Sequence, residues 1–441
     1  MKQPANTLTS VNQVAANDEH RQVGWFTQRL QGLARKALFA QLAHLHTGVL
    51  RIHERIDGET QVHEFGKPYS DQHGVALVAD MHVHDAATYS SILSGGSIGA
   101  AEAYMTSDWS TPNLANVVRV MALNIDLLNK MEGGITGFIS KPFLKVFHKL
   151  NENTEKGSRR NIAAHYDLGN DLFQQFLDPS MMYSSAIYPG ADSTLEIAAK
   201  YKLKRICDAL QLCEDDHVVE IGTGWGGFAI YAASHYGCRV TTTTISEQQY
   251  ALAKERIEAA GLQDKITLLK EDYRDLVKYE GQFDKLVSIE MIEAVGWQYY
   301  DTFFETCSRL LKADGVMLIQ AITIEDQRYD QARKNVDFIQ RYIFPGSCIP
   351  SVHALLSAAK KSSDMRLCYQ QDFADHYART LNEWHKRFNA KKSDILNLGY
   401  SEEFHRMWQF YFAYCEGGFK ERSIGVSHLM WAKPRYRQEQ V

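Results

Sequence analysis

Several absences narrow the reading of this chain before any motif is considered. No apolar run approaches the roughly 20 residues that cross a bilayer, so any membrane contact is peripheral. Residues 1–20 are polar, lack the apolar core of a secretory signal and read as a disordered tail. The seven cysteines are scattered without C-x-x-C spacing, which indicates neither a zinc site nor a disulfide framework and fits a reducing cytoplasm. Charge of one sign is missing too. The formal net charge is -5 over 441 residues, so nothing in the overall balance marks a nucleic-acid partner. Internal repeats are absent.

What is present centres on residues 217–227, HVVEIGTGWGG. An apolar strand carrying Glu220 runs into a turn with Gly222, Gly224, Gly226 and Gly227, and a helix-like segment follows. Glycine at such a turn lets the backbone of a ligand approach closely. A glycine-rich turn that only lets a helix pack on a sheet is the plainer alternative. The spacing E-x-G-x-G-x-G differs from the dinucleotide fingerprint and resembles the first binding loop of S-adenosylmethionine (SAM) methyltransferases.

The stretch beyond the loop favours a ligand site. Val240–Ile245, Ile266–Leu269, Phe283–Ile289 and Gly315–Ala321 read as strands, and Ser246 can cap a helix that ends at Gly261. Strands alternating with helices predict an α/β fold with a doubly wound, Rossmann-like parallel sheet. Such sheets bind ligands beyond the carboxyl ends of their strands. Glu220, Thr244, Asp272, Glu290 and Gln320 fall at or near those ends. An acidic pair such as Glu290 and Glu293 could equally cap the next helix.

The regions flanking this core suggest further parts. Residues 21–130 read as a smaller α+β N-terminal domain: a helix over Trp25–Gly48, a hairpin around Asp57-Gly58, a strand-like run at Gly74–Val83, a helix from Asp85 stopping at Gly95-Gly96, and another at Leu114–Leu128. Residues 131–160 form a basic linker, with Lys141, Lys145, Lys149, Lys156, Arg159 and Arg160 interleaved with aromatics such as Phe138 and Phe143. That mixture suits an anionic membrane surface, or a linker helix packed on the main domain. Residues 161–435 hold the catalytic domain. Within it, 325–425 is a mostly helical, aromatic-rich insertion, longer than a minimal methyltransferase needs and suited to covering a substrate.

Several motifs together resemble the cyclopropane-fatty-acyl-phospholipid synthase family, related to the mycolic-acid modifying enzymes. They are HYDLGNDLFQQFLDPSMMYSSAIY at 165–188, EIGTGWGG at 220–227, TTISEQQ at 243–249, EDYRDL at 271–276, IEMIEAVG at 289–296 and YIFPGSCIPS at 342–351. GGSIGAAEAYMTSDW at 95–109 extends the likeness to the N-terminal domain, so that it covers roughly residues 50–433.

The resemblance implies transfer of the SAM methyl carbon to a cis double bond of an acyl chain in membrane phospholipid, with ring closure to a cyclopropane. The partner is then the surface of a phospholipid bilayer, reached peripherally from the cytoplasmic side. Methylation without ring closure, giving a methylated alkene or methylene product, is the alternative. Less favoured are a soluble small-molecule methyltransferase and a non-catalytic lipid-binding scaffold. The oligomeric state, a homodimer included, is open.

By the same resemblance, Tyr183 and Ser184 close over the methionyl part of SAM, while Glu220, Gly222 and Gly224 belong to the loop beside it. Thr244, Ile245 and Gln249 meet the ribose, and Asp272 and Tyr273 the adenine. The family's base is a bound bicarbonate, whose pocket maps to Glu293, Tyr377 and the Ile322 amide. Its cysteine position reads Ser185 and its histidine position Gln320. Both replacements can hydrogen-bond, but neither shares a proton at neutral pH as histidine does. Glu293 or Tyr377 acting directly is therefore an alternative base.

Overall fold

The computed structural model describes residues 25–56, 59–127 and 168–437. The basic linker and the His165–Asp167 part of the first motif lie outside these.

Two sheets organise the chain. The first runs in the order β2-β1-β3-β4, built from Gly48–Ile56 (β1), Glu59–Lys67 (β2), Val78–Val83 (β3) and Trp109–Ser110 (β4). Strands β1 and β2 pair antiparallel with Ile56 opposite Glu59, and the turn expected at Asp57-Gly58 lies outside the described residues. Helices Trp25–Leu42 (α1), Ala87–Met105 (α2) and Leu114–Ala122 (α3) accompany this sheet.

The second sheet has seven strands in the order β10-β11-β9-β8-β5-β6-β7. They are His217–Ile221 (β5), Arg239–Thr243 (β6), Ile266–Leu269 (β7), Phe283–Ile289 (β8), Leu311–Ile324 (β9), Arg366–Asp372 (β10) and Ile424–Ala432 (β11). Strands β9, β8, β5, β6 and β7 are mutually parallel, while β11 and β10 join antiparallel. Because helices cover both faces, the central strands are buried on both sides and read as continuous apolar runs. Val218, Val219, Leu286, Val287 and Leu318 are all fully buried. The strand order reverses between β5 and β8, which places the ligand crevice beyond their carboxyl ends. Ser246 caps the helix Glu247–Ala259 by accepting from the Gln249 amide.

Several elements differ from the pattern in the sequence. The helix expected over Trp25–Gly48 ends at Leu42, and Gly48 already belongs to β1. The helix begun near Asp85 does not stop at Gly95-Gly96. It bends there, with Gly96 at φ 55°, ψ -132°, and α2 continues to Met105. Glycine permits this non-helical step without breaking the element. The predicted helix at 114–128 is interrupted rather than continuous: α3 ends at Ala122, a turn occupies residues 123–124, and helix resumes over residues 125–127. The insertion is not wholly helical, since β10 lies inside it and pairs with β11. Its sequence RLCYQQD is polar and half exposed, as suits an edge strand with little apolar alternation.

The N-terminal sheet and the insertion share one apolar core. Helices Ala374–Ala390 and Glu402–Lys420 stack Trp384, Phe388, Trp408 and Phe412 around Phe173 and Phe176. Helix Glu402–Lys420 crosses α3 so tightly that a Cβ on Gly417 would stand 2.7 Å from Val118 Cγ1. Arg119 pairs with Glu421 across the same crossing, and Arg406 donates to the carbonyls of Tyr104 and Trp109. No helix among the described residues is long and apolar enough to cross a membrane.

Candidate active site

The loop after β5 turns through left-handed backbone at Gly222 (φ 95°) and Gly224 (φ 51°), conformations that side-chain-bearing residues seldom adopt. A Cβ on Gly224 would meet no atom of the chain within 4 Å, and the residue lines a cavity of about 1070 Å³. That is at or above the top of the usual range for small-ligand pockets, so it can take a cofactor and a second substrate.

Around this loop the cavity wall carries Tyr183, Ser184, Glu220, Thr244, Ile245, Gln249, Asp272 and Tyr273. The structure thus brings every residue expected near SAM to one wall. Thr244 donates to the Gln249 side-chain oxygen at 2.8 Å. Asp272 caps the turn that follows it and accepts from Arg274, so its carboxylate is held in place. Tyr183 donates to Tyr411 at 3.0 Å. Glu220 is buried, accepts from Thr242 at 2.6 Å, and is pushed by desolvation up to about 8. The hydroxyls of Thr223 and Tyr273, both buried in the cavity wall, find no hydrogen-bond partner among the described residues. Buried polar atoms without partners are rare and suit a bound polar ligand. Open space at Gly224 and these two hydroxyls together fit SAM.

Beyond β8 the wall changes to two buried carboxyls. Glu290 accepts from the Ser185 amide at 2.9 Å, from Gln320 Nε2 at 2.7 Å and from the Tyr377 hydroxyl at 2.6 Å. Its backbone is left-handed, φ 49°, unusual for a residue with a side chain. Glu293, on the short helix Ile292–Val295, accepts from the Ile322 amide, and its second oxygen has no partner among the described residues. Burial, then repulsion from Glu290, raises Glu293 to about 8, so it holds its proton at neutral pH. Glu290 is raised by burial as well, but its three donors and nearby Lys202 oppose that shift. Lys202 is fully buried, donates to Ser184 Oγ at 2.8 Å, and is lowered by desolvation to about 8 against the fields of Glu290, Asp178 and Glu220.

Ser185 and Gln320 are fully buried behind this wall. The Ser185 hydroxyl turns away to the Ala186 carbonyl, and only its amide faces the carboxylate. His428 on β11 donates from Nε2 to Gln320 Oε1 at 2.9 Å. These contacts bear on bicarbonate. The donors of Ser185, Gln320 and Tyr377 are spent on Glu290, and the Ile322 amide on Glu293. A free anion finds no donor left among them, so these five residues do not fit bicarbonate.

Sequence reasoning placed Glu290 on the ligand-binding rim without giving it a chemical role, and missed Lys202 and His428 altogether. Only the left-handed backbone at Glu290 and the pairing of β9 with β11 assemble them. The other side of the cavity is apolar. It is lined by Ile92, Leu93 and Ile98 of bent α2, Val117 and Met121 near α3, and the aromatics Phe344, Phe410 and Tyr411.

Comparison with known proteins gives a consistent result. The family described as mycolic acid cyclopropane synthetase matches residues 153–429. Cyclopropane-fatty-acyl-phospholipid synthase of Escherichia coli is 37% identical over 358 residues, covering 80% of this chain and 88% of that protein. Tuberculostearic acid methyltransferase UfaA1 of Mycobacterium tuberculosis is 36% identical over 338 residues, 75% of this chain and 78% of that one. Among solved structures, mycolic acid cyclopropane synthase CmaA1 complexed with SAH and CTAB superposes with TM-score 0.58 at 29% identity, covering 62% of this chain and 98% of that one.

Proposed function

The chain belongs to the mycolic acid cyclopropane synthetase family, and on that premise we propose that it is a SAM-dependent enzyme that converts cis-unsaturated acyl chains of membrane phospholipid into cyclopropane fatty acids. SAM supplies an electrophilic methyl group. The chain's own residues do the rest. The glycine loop and Thr244, Gln249 and Tyr273 hold the donor beside β5. The apolar wall from α2 and α3 takes the acyl chain and excludes water, which would otherwise trap a carbocation as an alcohol.

Aromatic rings surround the carboxylate end of the cavity: Tyr183 and Phe344 lie 6.3 Å apart, Phe344 and Tyr411 6.1 Å, and Tyr377 stacks on Phe419 at 4.4 Å. Their faces stabilise positive charge on the acyl chain. The observation that carries this reading is the single cavity joining a cofactor-shaped glycine wall, buried carboxyls and an apolar gallery.

The bilayer as substrate source rests on the basic, aromatic segment at 138–160 and on the naming of the Escherichia coli relative for phospholipid. The test is incubation of the purified protein with SAM and vesicles of a cis-monounsaturated phospholipid, followed by NMR of the released acyl chains. Cyclopropyl signals are expected. A methylated alkene has the same mass, and its appearance instead would overturn ring closure. Recruitment to vesicles should require anionic lipid and weaken with salt; equal turnover on acyl-CoA without vesicle binding would overturn the bilayer substrate.

A further inference from the structure

The residues around Glu290 form a complete anion cradle whose anion is already part of the chain. We propose that the Glu290 carboxylate is the base that takes the proton in this reaction, and that the enzyme works without bicarbonate. The inference rests on the reaction proposed above and names the proton acceptor within it.

Three independent observations carry it. The first is occupancy. One oxygen of Glu290 accepts from the Ser185 amide and Gln320 Nε2, and the other from the Tyr377 hydroxyl. An added anion would have to displace this carboxylate or stand beside it. Like charges in contact repel, and more strongly in a buried site than in water.

The second is backbone strain. Glu290 holds a left-handed backbone at φ 49°, which brings a side chain's Cβ too close to the following carbonyl. Strain of this kind persists where surrounding structure enforces it, and it clusters at functional sites. Here it aims the side chain from the end of β8 into the cradle.

The third is the division of labour between the two carboxyls. Glu290 has three donors and the buried Lys202 ammonium nearby, which favour its charged form. Glu293 is buried beside that carboxyl with backbone donors only, from Ile322 and its own amide, so burial and the neighbouring carboxyl favour its neutral form. Neighbouring carboxyls with environments this different separate into an acid and a base. Gln320 cannot present its oxygen to Glu290, because His428 holds that oxygen.

The step balances as follows. The alkene π pair forms a carbon–carbon bond to the donated methyl, and the sulfur–carbon bond breaks with its pair going to sulfur. The acyl chain is left with a carbocation. Glu290 removes a proton from the new methyl, and the freed C–H pair forms the second carbon–carbon bond, closing the ring. Glu290 then returns its proton to solvent as the products leave.

The experiment compares wild type, Glu290→Gln and Glu290→Gly in carbonate-stripped buffer, with and without added bicarbonate, reading product by NMR and SAM affinity by titration. Wild type should turn over equally with and without bicarbonate. Glu290→Gln, which keeps the shape and loses the charge, should lose about 100-fold in kcat with SAM affinity unchanged. Glu290→Gly suits the left-handed backbone and empties the cradle, so added bicarbonate or formate should restore part of its activity. Wild-type turnover that collapses without bicarbonate, or normal turnover by Glu290→Gln, overturns the proposal. A wild type that makes no cyclopropane at all refutes the proposed function instead.

Discussion

His428 reaches Gln320 across the β9–β11 pair, Nε2 to Oε1, at 2.9 Å, with the two residues directly opposite in register. The amide oxygen accepts only, so this contact decides that the amide nitrogen meets Glu290. Burial lowers His428 to about 3 and keeps it neutral, which lets one histidine orient the amide without adding charge.

Replacing His428 by Ala should therefore damage catalysis without touching the cofactor wall. The Gln320 oxygen would be buried without its partner, costing about 1–3 kcal/mol, and the amide would be free to turn. We expect a lower kcat with SAM affinity retained, and a smaller loss in His428→Gln, which keeps a donor. Steady-state kinetics alongside a SAM titration measures this. A loss confined to SAM affinity would contradict the orienting role.

Tyr377→Phe removes one of three donors to Glu290. Hydrogen bonds to charged groups contribute about 1.5–3 kcal/mol, so the charged form should weaken and its pKa rise by about 1–2 units. The acid limb of the kcat profile should move up in pH by that amount. An unmoved limb would separate Tyr377 from the base.

Glu293 gives a stability signature that needs no substrate. Its folded pKa is raised from 4.5 to about 8. The stability it contributes is complete below about 4.5, where both states hold the proton, and is lost as pH rises toward 8. Relative to wild type, Glu293→Gln should gain stability with rising pH, at up to about 1.4 kcal/mol per unit through that window. Urea unfolding of both proteins from pH 5 to 8 checks the sign. Parallel curves would mean Glu293 is ionised in the fold.

Gly417 sets how closely the N-terminal helix α3 docks on the insertion. A Cβ there stands 2.7 Å from Val118 Cγ1 and 3.3 Å from the Ala115 carbonyl. Gly417→Ala should cost about 1–3 kcal/mol by overpacking. Because α3 helps to line the apolar wall, turnover on lipid should fall more than SAM affinity. Paired Val118→Gly should recover part of the loss, since the Val118 Cβ itself would stand 2.8 Å from the added one. A variant as stable and active as wild type would show that the crossing relaxes freely.

Much of this protein was written locally in its sequence. Ile266–Leu269 and Phe283–Ile289 could be read as strands because both are short apolar runs between turn signals, and Ser246 could be read as a cap because capping needs only three residues. The glycine loop was legible for the same reason: its chemistry is the absence of side chains at fixed spacing. The edge strand β10 was not legible, because a half-exposed strand carries no apolar alternation. The bend of α2 at Gly96 was hidden because glycine signals an end and a bend alike.

The carboxylate centre belongs to tertiary structure alone. Glu290 and Glu293 are the same residue type three positions apart, and the family resemblance pointed to Glu293. The fold ranks them by burying both, turning Glu290 through a left-handed backbone toward three donors and leaving Glu293 with backbone amides alone. Those donors come from residues 185, 320 and 377, and Gln320 in turn depends on His428. Proton affinity is set by distance and desolvation among groups remote in the chain. The parallel core strands and the glycine loop are local enough to stand in the sequence, whereas the environments that separate the two carboxyls arise from the pairing of β8, β9 and β11.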